Sequence, residues 1–198
     1  MKYFIYLLFA IIFINSCVTT RSFDSSNICS IFKSNPQWKI ITENTKKKWG
    51  TPVSLQLAFI KQESSFEKNA KPPRKKFLGV IPSKRISTAY GYSQALDGTW
   101  NDYKISTGNS DANRKNFKDA SDFIGWYVDG TYKLLKIQKT DIYNNYLAYH
   151  EGRGGYQKKT FNKKKWLLTV AKKVEKQAIL YSNQIKNCKF SNKKNSVL

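Results

Sequence analysis

The chain is short of acids. Thirteen Asp and Glu stand against 35 Lys and Arg, which gives a formal charge of +22 over 198 residues. It has one histidine, His150, and three cysteines, with no CxxC pair and no Cys/His cluster. A zinc centre is therefore not expected, and neither is any other metal or cofactor. The opening apolar run, residues 3–14, stops after twelve residues, well below the roughly 20 that a membrane-spanning helix needs. No internal repeat is visible, and the length leaves room for one domain but not comfortably for two.

The opening has instead the layout of a signal peptide: Lys2, an apolar core, then Asn15-Ser16-Cys17. A small residue before cysteine resembles a bacterial lipobox, whose cysteine is acylated after cleavage. Asn15 departs from that pattern, and an ordinary signal peptide would export the chain equally. The expected division is 1–16 as signal, 17–28 as lipidated Cys17 and a polar tether, 29–190 as the folded domain and 191–198 as a polar tail. Val18 stands where inner-membrane lipoproteins usually carry Asp. The expected location is thus the outer membrane of a Gram-negative cell, facing the periplasm, with Cys17 as the membrane anchor. The positive charge suggests a polyanionic partner. Export argues against nucleic acid, and the lysines are scattered rather than confined to one stretch. In an oxidising compartment Cys29 and Cys188 have one pairing open to them, a disulfide joining the two ends of the domain. Its loop is worth roughly 4–5 kcal/mol in the chain-entropy view. Two free thiols are the alternative.

Apolar spacing organises the rest. Residues 36–49 read as a first helix. Gly50-Thr51-Pro52 breaks it, with Thr51 as N-cap and Pro52 as first residue of the next helix. From Val53 the sequence VSLQLAFIKQESSF has almost no breakers and is apolar nearly all round, which predicts a central, buried helix. Residues 71–85 differ: six basic residues, no acid, and Pro72, Pro73 and Pro82. This is expected to be a basic loop, with a short strand or hairpin arm at 77–81 ended by Pro82, that either forms one wall of a cleft and attracts carboxylates or is a solvated insertion. Residues 117–137 have helical spacing. Thr140 or Asp141 starts another helix, ended near His150 by Gly152, Gly154 and Gly155. Asn162 is expected to cap a last helix with Trp166, Leu167, Ala171, Val174, Ala178 and Tyr181 on one face. The sum is a mainly α domain with one basic, irregular insertion.

Glu63 stands out physically. Helix geometry sets Phe59, Ile60 and Phe66 beside it. A carboxyl held among apolar groups has its charged form disfavoured and its pKa raised, as a general acid near neutral pH requires. A helix-edge Glu reaching water is the bland reading.

Three words then occur in order: Gln62-Glu63-Ser64-Ser65-Phe66, Ala89-Tyr90-Gly91-Tyr92-Ser93-Gln94 and Leu147-Ala148-Tyr149-His150-Glu151-Gly152. Together they resemble the catalytic domain of soluble lytic transglycosylases, relatives of goose-type lysozyme, over about residues 36–187. The family's Glu-Ser is present. Its Gly-Leu-Met-Gln keeps Gly91 and Gln94, and its Ala-Tyr-Asn-Ala-Gly keeps Ala148, Tyr149 and Gly152. Tyr92-Ser93 and His150-Glu151 are departures that should alter the sugar-facing wall.

The resemblance implies a lysozyme-like fold and action on the glycan strands of peptidoglycan; a monomer is the expected state. It implies Glu63 as acid and then base, with Tyr149 near it to orient or steady it. Gln94 would hold an N-acetyl group, and Ser93, Tyr92, Ala148 and Glu151 would contribute to substrate binding. Glu151 also admits two other readings, a second acid for a hydrolytic mechanism or a solvated helix-end residue. Gly91 reads as a backbone requirement, either close approach or positive φ. Trp100, Trp126, Tyr127, Tyr132, Tyr143 and Tyr146 are available to stack on sugars, although aromatics at helical spacing are mostly core. A lysozyme-type hydrolase and an inactive wall-binding lipoprotein are the rival readings.

Overall fold

The computed structural model describes residues 23–77 and 81–188. The apolar run, Cys17 and the tail at 191–198 lie outside them. Seven α-helices and one hairpin make up the described chain, in the order α1 (Ile28–Ser34), α2 (Pro36–Trp49), α3 (Val53–Ser64), β1 (Arg74–Phe77), β2 (Ile81–Arg85), α4 (Asp97–Thr107), α5 (Phe117–Leu135), α6 (Ile142–Gln157) and α7 (Lys165–Asn187). A short 3₁₀ turn at Thr160–Lys163 joins α6 to α7.

Helix α3 is the axis of the domain. Val53, residues 55–60 and Ser64 are all buried, because α2, α5 and α7 surround it. Its one large polar side chain in that stretch, Gln56, is fully satisfied. The amide donates to the carbonyls of Thr42 (3.1 Å) and Thr51 (2.9 Å) and accepts from Ser121 (2.8 Å), which in turn meets Thr45. A buried amide left unpaired would cost about 1–3 kcal/mol, so this network fixes the register of α2, α3 and α5. Helix α2 lies tight on α5: a Cβ on Gly125 would come within 2.5 Å of the Trp49 ring.

The basic insertion is an antiparallel hairpin with Arg74 opposite Arg85 and Phe77 opposite Ile81. Pro82, expected to end a strand, lies inside β2 opposite Lys76. Other boundaries also differ from expectation. Thr51 is not the N-cap of α3; Pro52 takes that position and Thr51 donates to the Gly125 carbonyl instead. Asn162 sits in the 3₁₀ turn and α7 begins at Lys165. Trp166 turns outward, 55% exposed, while Leu167, Ala171, Val174, Ala178 and Tyr181 are buried.

The largest correction is at the amino end. Residues expected in the tether are packed from Phe23 onward. Phe23 sits edge-on to Trp38 and Phe66, and Asn27 caps α1 by accepting from Cys29 and Ser30. Ile28, Ile31 and Phe32 are buried, at the i, i+3, i+4 spacing of one helix face. This face meets α7. The Ile28 amide donates to Gln184 (2.9 Å) and the Tyr181 hydroxyl to the Ser25 carbonyl. Cys29 and Cys188 are joined as a disulfide across a separation of 159 residues. Replacing both by Ser is expected to lower stability by about 2–5 kcal/mol in chemical denaturation, with the folded variant's far-UV circular dichroism unchanged.

Candidate active site

The cleft is built at the carboxyl end of α3. Glu63 lies in the last turn, and α3 stops at once because Ser65 and Phe66 both take positive φ (51° and 65°). Phe66 is held in that conformation by stacking on Trp38 and packing on Phe23. A cleft of about 420 Å³ opens over Glu63. The turn at residues 87–96 supplies Ser87, Ala89, Gln94 and Leu96; α5 supplies Phe123 and Tyr127; α6 supplies Tyr149, His150, Glu151 and Gly152.

Burial pushes the Glu63 carboxyl up to about 7, against the lowering pull of a hydrogen bond from Tyr146. The Tyr146 hydroxyl donates to Glu63 Oε1 at 2.9 Å. The helix dipole, negative at this end of α3, also disfavours the carboxylate. None of the ion pairs among the described residues reaches Glu63.

The hydroxyl that hydrogen-bonds Glu63 is thus that of Tyr146, which the sequence offered only as an aromatic for sugar stacking; Tyr149, expected near Glu63, lies near it and bonds elsewhere. Tyr149 lines the cleft, but its hydroxyl donates to the Ser93 carbonyl at 2.7 Å. Its ring packs edge-on to Phe59 and Tyr127, 5.1 and 5.0 Å between centroids. Burial and then the nearby Glu63 hold its hydroxyl protonated, far above the usual tyrosine range. Tyr149 therefore ties the 90s turn to α6 over the carboxyl. Tyr146 was readable only as one of several aromatics; three residues from Tyr149 on one helix, it shares the same face.

Gln94 lines the cleft, with both N–H groups spent. Its amide nitrogen donates to the carbonyls of Ala70 (3.0 Å) and Gly91 (2.8 Å). Two carbonyl partners require the NH₂ on that side, which leaves Oε1 as the atom available to a ligand. Three other expected contacts are not cleft residues. Tyr92 belongs to the aromatic core, edge-on to Trp38 and Phe117. Ser93 and Ala148 are fully buried; the Ala148 carbonyl accepts from Tyr127 at 2.9 Å. The Tyr92 and Ser93 side chains on the turn, and that of Ala148 on α6, are packed into the interior instead.

Glu151 lines the cleft but is fully engaged. Its carboxylate accepts from Lys164 Nζ (2.7 Å) and from the Thr160 hydroxyl, and lies 3.1 Å from His150 Nδ1. Burial would raise its pKa, but Lys164, Thr160 and His150 outweigh it and hold the carboxyl below its ordinary value. It is placed there by a kink. Gly152 has φ 74° and ψ 157° inside α6, a region open essentially to glycine. The helix bends at Gly152 and continues to Gln157, where termination had been expected. Beyond the bend Arg153 reaches α5, donating to the Tyr127 carbonyl (2.9 Å). Trp166 stands at the rim, its ring 5.1 Å from that of His150. Among the described residues no group of three or more His, Cys, Asp or Glu is placed to hold a metal ion.

Gly91 carries both backbone requirements at once. Its φ is 72°, and a Cβ there would fall 2.1 Å from the Arg114 carbonyl oxygen. Arg114 clamps this turn, with Nη1 on the carbonyls of Thr88 (3.1 Å) and Ala95 (2.8 Å) and Nη2 on Asp97 (2.7 Å). Gly91→Ala is expected to cost about 3 kcal/mol or more in chemical denaturation, because backbone must move to admit the methyl.

Comparison with known proteins agrees with this geometry. The family model described as the transglycosylase SLT domain matches residues 5–188. No curated protein matches the chain. A match over nearly the whole chain, on a mainly helical domain with its cleft at the end of a buried helix, places this protein in the transglycosylase SLT-domain family, with the family's lysozyme-like fold.

Proposed function

We propose that this protein is a peptidoglycan lytic transglycosylase that cleaves the β-1,4 bond between N-acetylmuramic acid and N-acetylglucosamine and leaves a 1,6-anhydromuramoyl end. The observation that carries this reading is the inequality of the two carboxyls lining the cleft. Glu63, pushed up to about 7, holds a proton near neutral pH. Glu151 is ionised, as a base or nucleophile would be, but both its oxygens are taken by Lys164, Thr160 and His150, so neither is free to activate water or attack C1. Ordinary glycoside hydrolysis uses two working carboxyl groups; this cleft offers one.

One carboxyl suffices for the proposed reaction. Glu63 gives its proton to the glycosidic oxygen. The bond from that oxygen to muramoyl C1 breaks, and N-acetylglucosamine leaves with a free 4-hydroxyl. The substrate's own N-acetyl oxygen closes on C1 and carries the positive charge. Ionised Glu63 then takes the proton of the muramoyl 6-hydroxyl, whose oxygen bonds to C1 as the N-acetyl group reopens. Glu63 ends protonated, and no water is consumed. Holding the 6-hydroxyl in the same ring gives it an effective concentration that bulk water cannot match. Tyr146 stabilises the ionised form between the two transfers.

Export, lipid anchoring at Cys17 and residence at the outer membrane facing the periplasm are part of the proposal and rest on residues 1–18 alone. Among the described residues no helix is long and apolar enough to cross a membrane. Fractionation should find a Cys17→Ala variant soluble; continued membrane association would point to the apolar run or the basic surface.

Digestion of purified sacculi followed by mass spectrometry tests the reaction. Anhydro ends are expected, and reducing ends would show a hydrolase instead. Glu63→Gln should abolish release. The kcat/KM of the wild type should fall as pH rises through about 7. Tyr146→Phe removes the bond that favours the carboxylate, so this limb should move to higher pH, with kcat down about tenfold.

Stability carries the same signature. The folded pKa of Glu63 lies above the unfolded value, so its contribution is full below about 4.5 and is lost as pH rises through about 7. Glu63→Gln should therefore be the more stable protein at pH 8, by about 1–3 kcal/mol, and nearly equal to wild type at pH 4.

A further inference from the structure

The hairpin leaves and rejoins the domain beside the cleft. At its foot lies a second depression of about 680 Å³, with Lys71, Arg85, Ile86, Tyr90, Asp97 and Arg114 in its lining. Ser87 and Ala89 line both this depression and the cleft over Glu63. The two hollows are therefore back to back across one short stretch of chain.

The charges here are unequal. The single carboxylate, Asp97, is spent on Arg114 at 2.7 Å. Arg114 is otherwise occupied by the carbonyls of Thr88 and Ala95, so it is scaffold. Lys71 and Arg85 remain, both exposed, and neither takes part in a salt bridge among the described residues. Both are positioned. Lys71 Nζ lies 5.0 Å from the centre of the Tyr90 ring, and Arg85 donates through one nitrogen to the Pro72 carbonyl while facing Arg74 across the hairpin. Ile86 adds an apolar surface, 58% exposed. Two positioned cations without a counter-ion, next to an open apolar side chain, suit a short peptide with carboxylates and small alkyl groups.

Resting on the reading of the cleft as a peptidoglycan site, we propose that this depression binds the stem peptide that the muramoyl residue carries on its lactyl group. Lys71 and Arg85 take its carboxylates, and Ile86 takes its alanine methyls. The glycan strand lies in the cleft, and its peptide crosses the wall formed by Ser87 and Ala89. The protein thereby distinguishes peptide-bearing from bare glycan.

The test is binding, with the Glu63→Gln chain so that ligand stays intact. Isothermal titration compares a glycan oligomer bearing stem peptides with the same oligomer stripped by an amidase, at low and high salt. The peptide-bearing ligand is expected to bind about tenfold more tightly at low salt, with the gap narrowing at high salt. Adding Lys71→Gln and Arg85→Gln should close the gap and leave both the thermal midpoint and the affinity for stripped glycan unchanged. Equal affinity for the two ligands, binding of neither, or a gap that survives the double substitution overturns the proposal. A wild type that makes no anhydro product while the gap persists counts against the proposed reaction and not against this site.

Discussion

The rest of the structure depends on keeping one carboxyl uncharged in a protein crowded with cations. A lysine or arginine against Glu63 would hold it ionised and cancel the upward shift of its pKa. The fold prevents this by placing Glu63 at the end of its most enclosed helix, where α2, α5 and α7 close round α3 and none of the ion pairs among the described residues reaches the carboxyl. Lys61, two residues earlier, points elsewhere: its ammonium bonds Gln177 at 2.7 Å, on the α7 side. The Thr, Ser and Gln side chains around Gln56 pair with one another where α2, α3 and α5 meet.

Helix α6 supplies the opposite wall and works in two registers. Before its bend, Tyr146 and Tyr149 present two hydroxyls to different acceptors, the Glu63 carboxyl and the Ser93 carbonyl. After Gly152, the chain runs in a new direction, so that Arg153 is fixed on α5. The bend also leaves Glu151 within reach of Thr160 in the following turn and of Lys164 at the cap of α7. One glycine thus separates the helical segment that serves Glu63 from the one that braces the cleft.

Much of this was legible in the sequence where a single helix decides the outcome. The buried character of α3 and the position of Glu63 among apolar neighbours follow from spacing alone. What required the third dimension was any choice between residues on one face. Tyr146 and Tyr149 are equivalent by periodicity, and only the tertiary placement of each hydroxyl selects which one reaches the carboxyl. Gly152 reads as a stop because glycine ends helices more often than it bends them. Here the contacts of Arg153 carry the helix past it. Tyr92, Ser93 and Ala148 share words with residues of the cleft, yet word membership says nothing about whether a side chain faces the cleft or the core. Helix α1 is short and was missed, although Asn27 as a cap and the spacing of Ile28, Ile31 and Phe32 were there to read.

The join between α1 and α7 has a consequence in time. The first helix of the domain is completed by the last: its buried face rests on α7, its first amide is satisfied by Gln184, and Cys29 waits for Cys188. A chain emerges amino end first, so α1 stands without its partners until nearly all of the domain has been made. Closure of this join is therefore a late event, which waits on the final turns of α7.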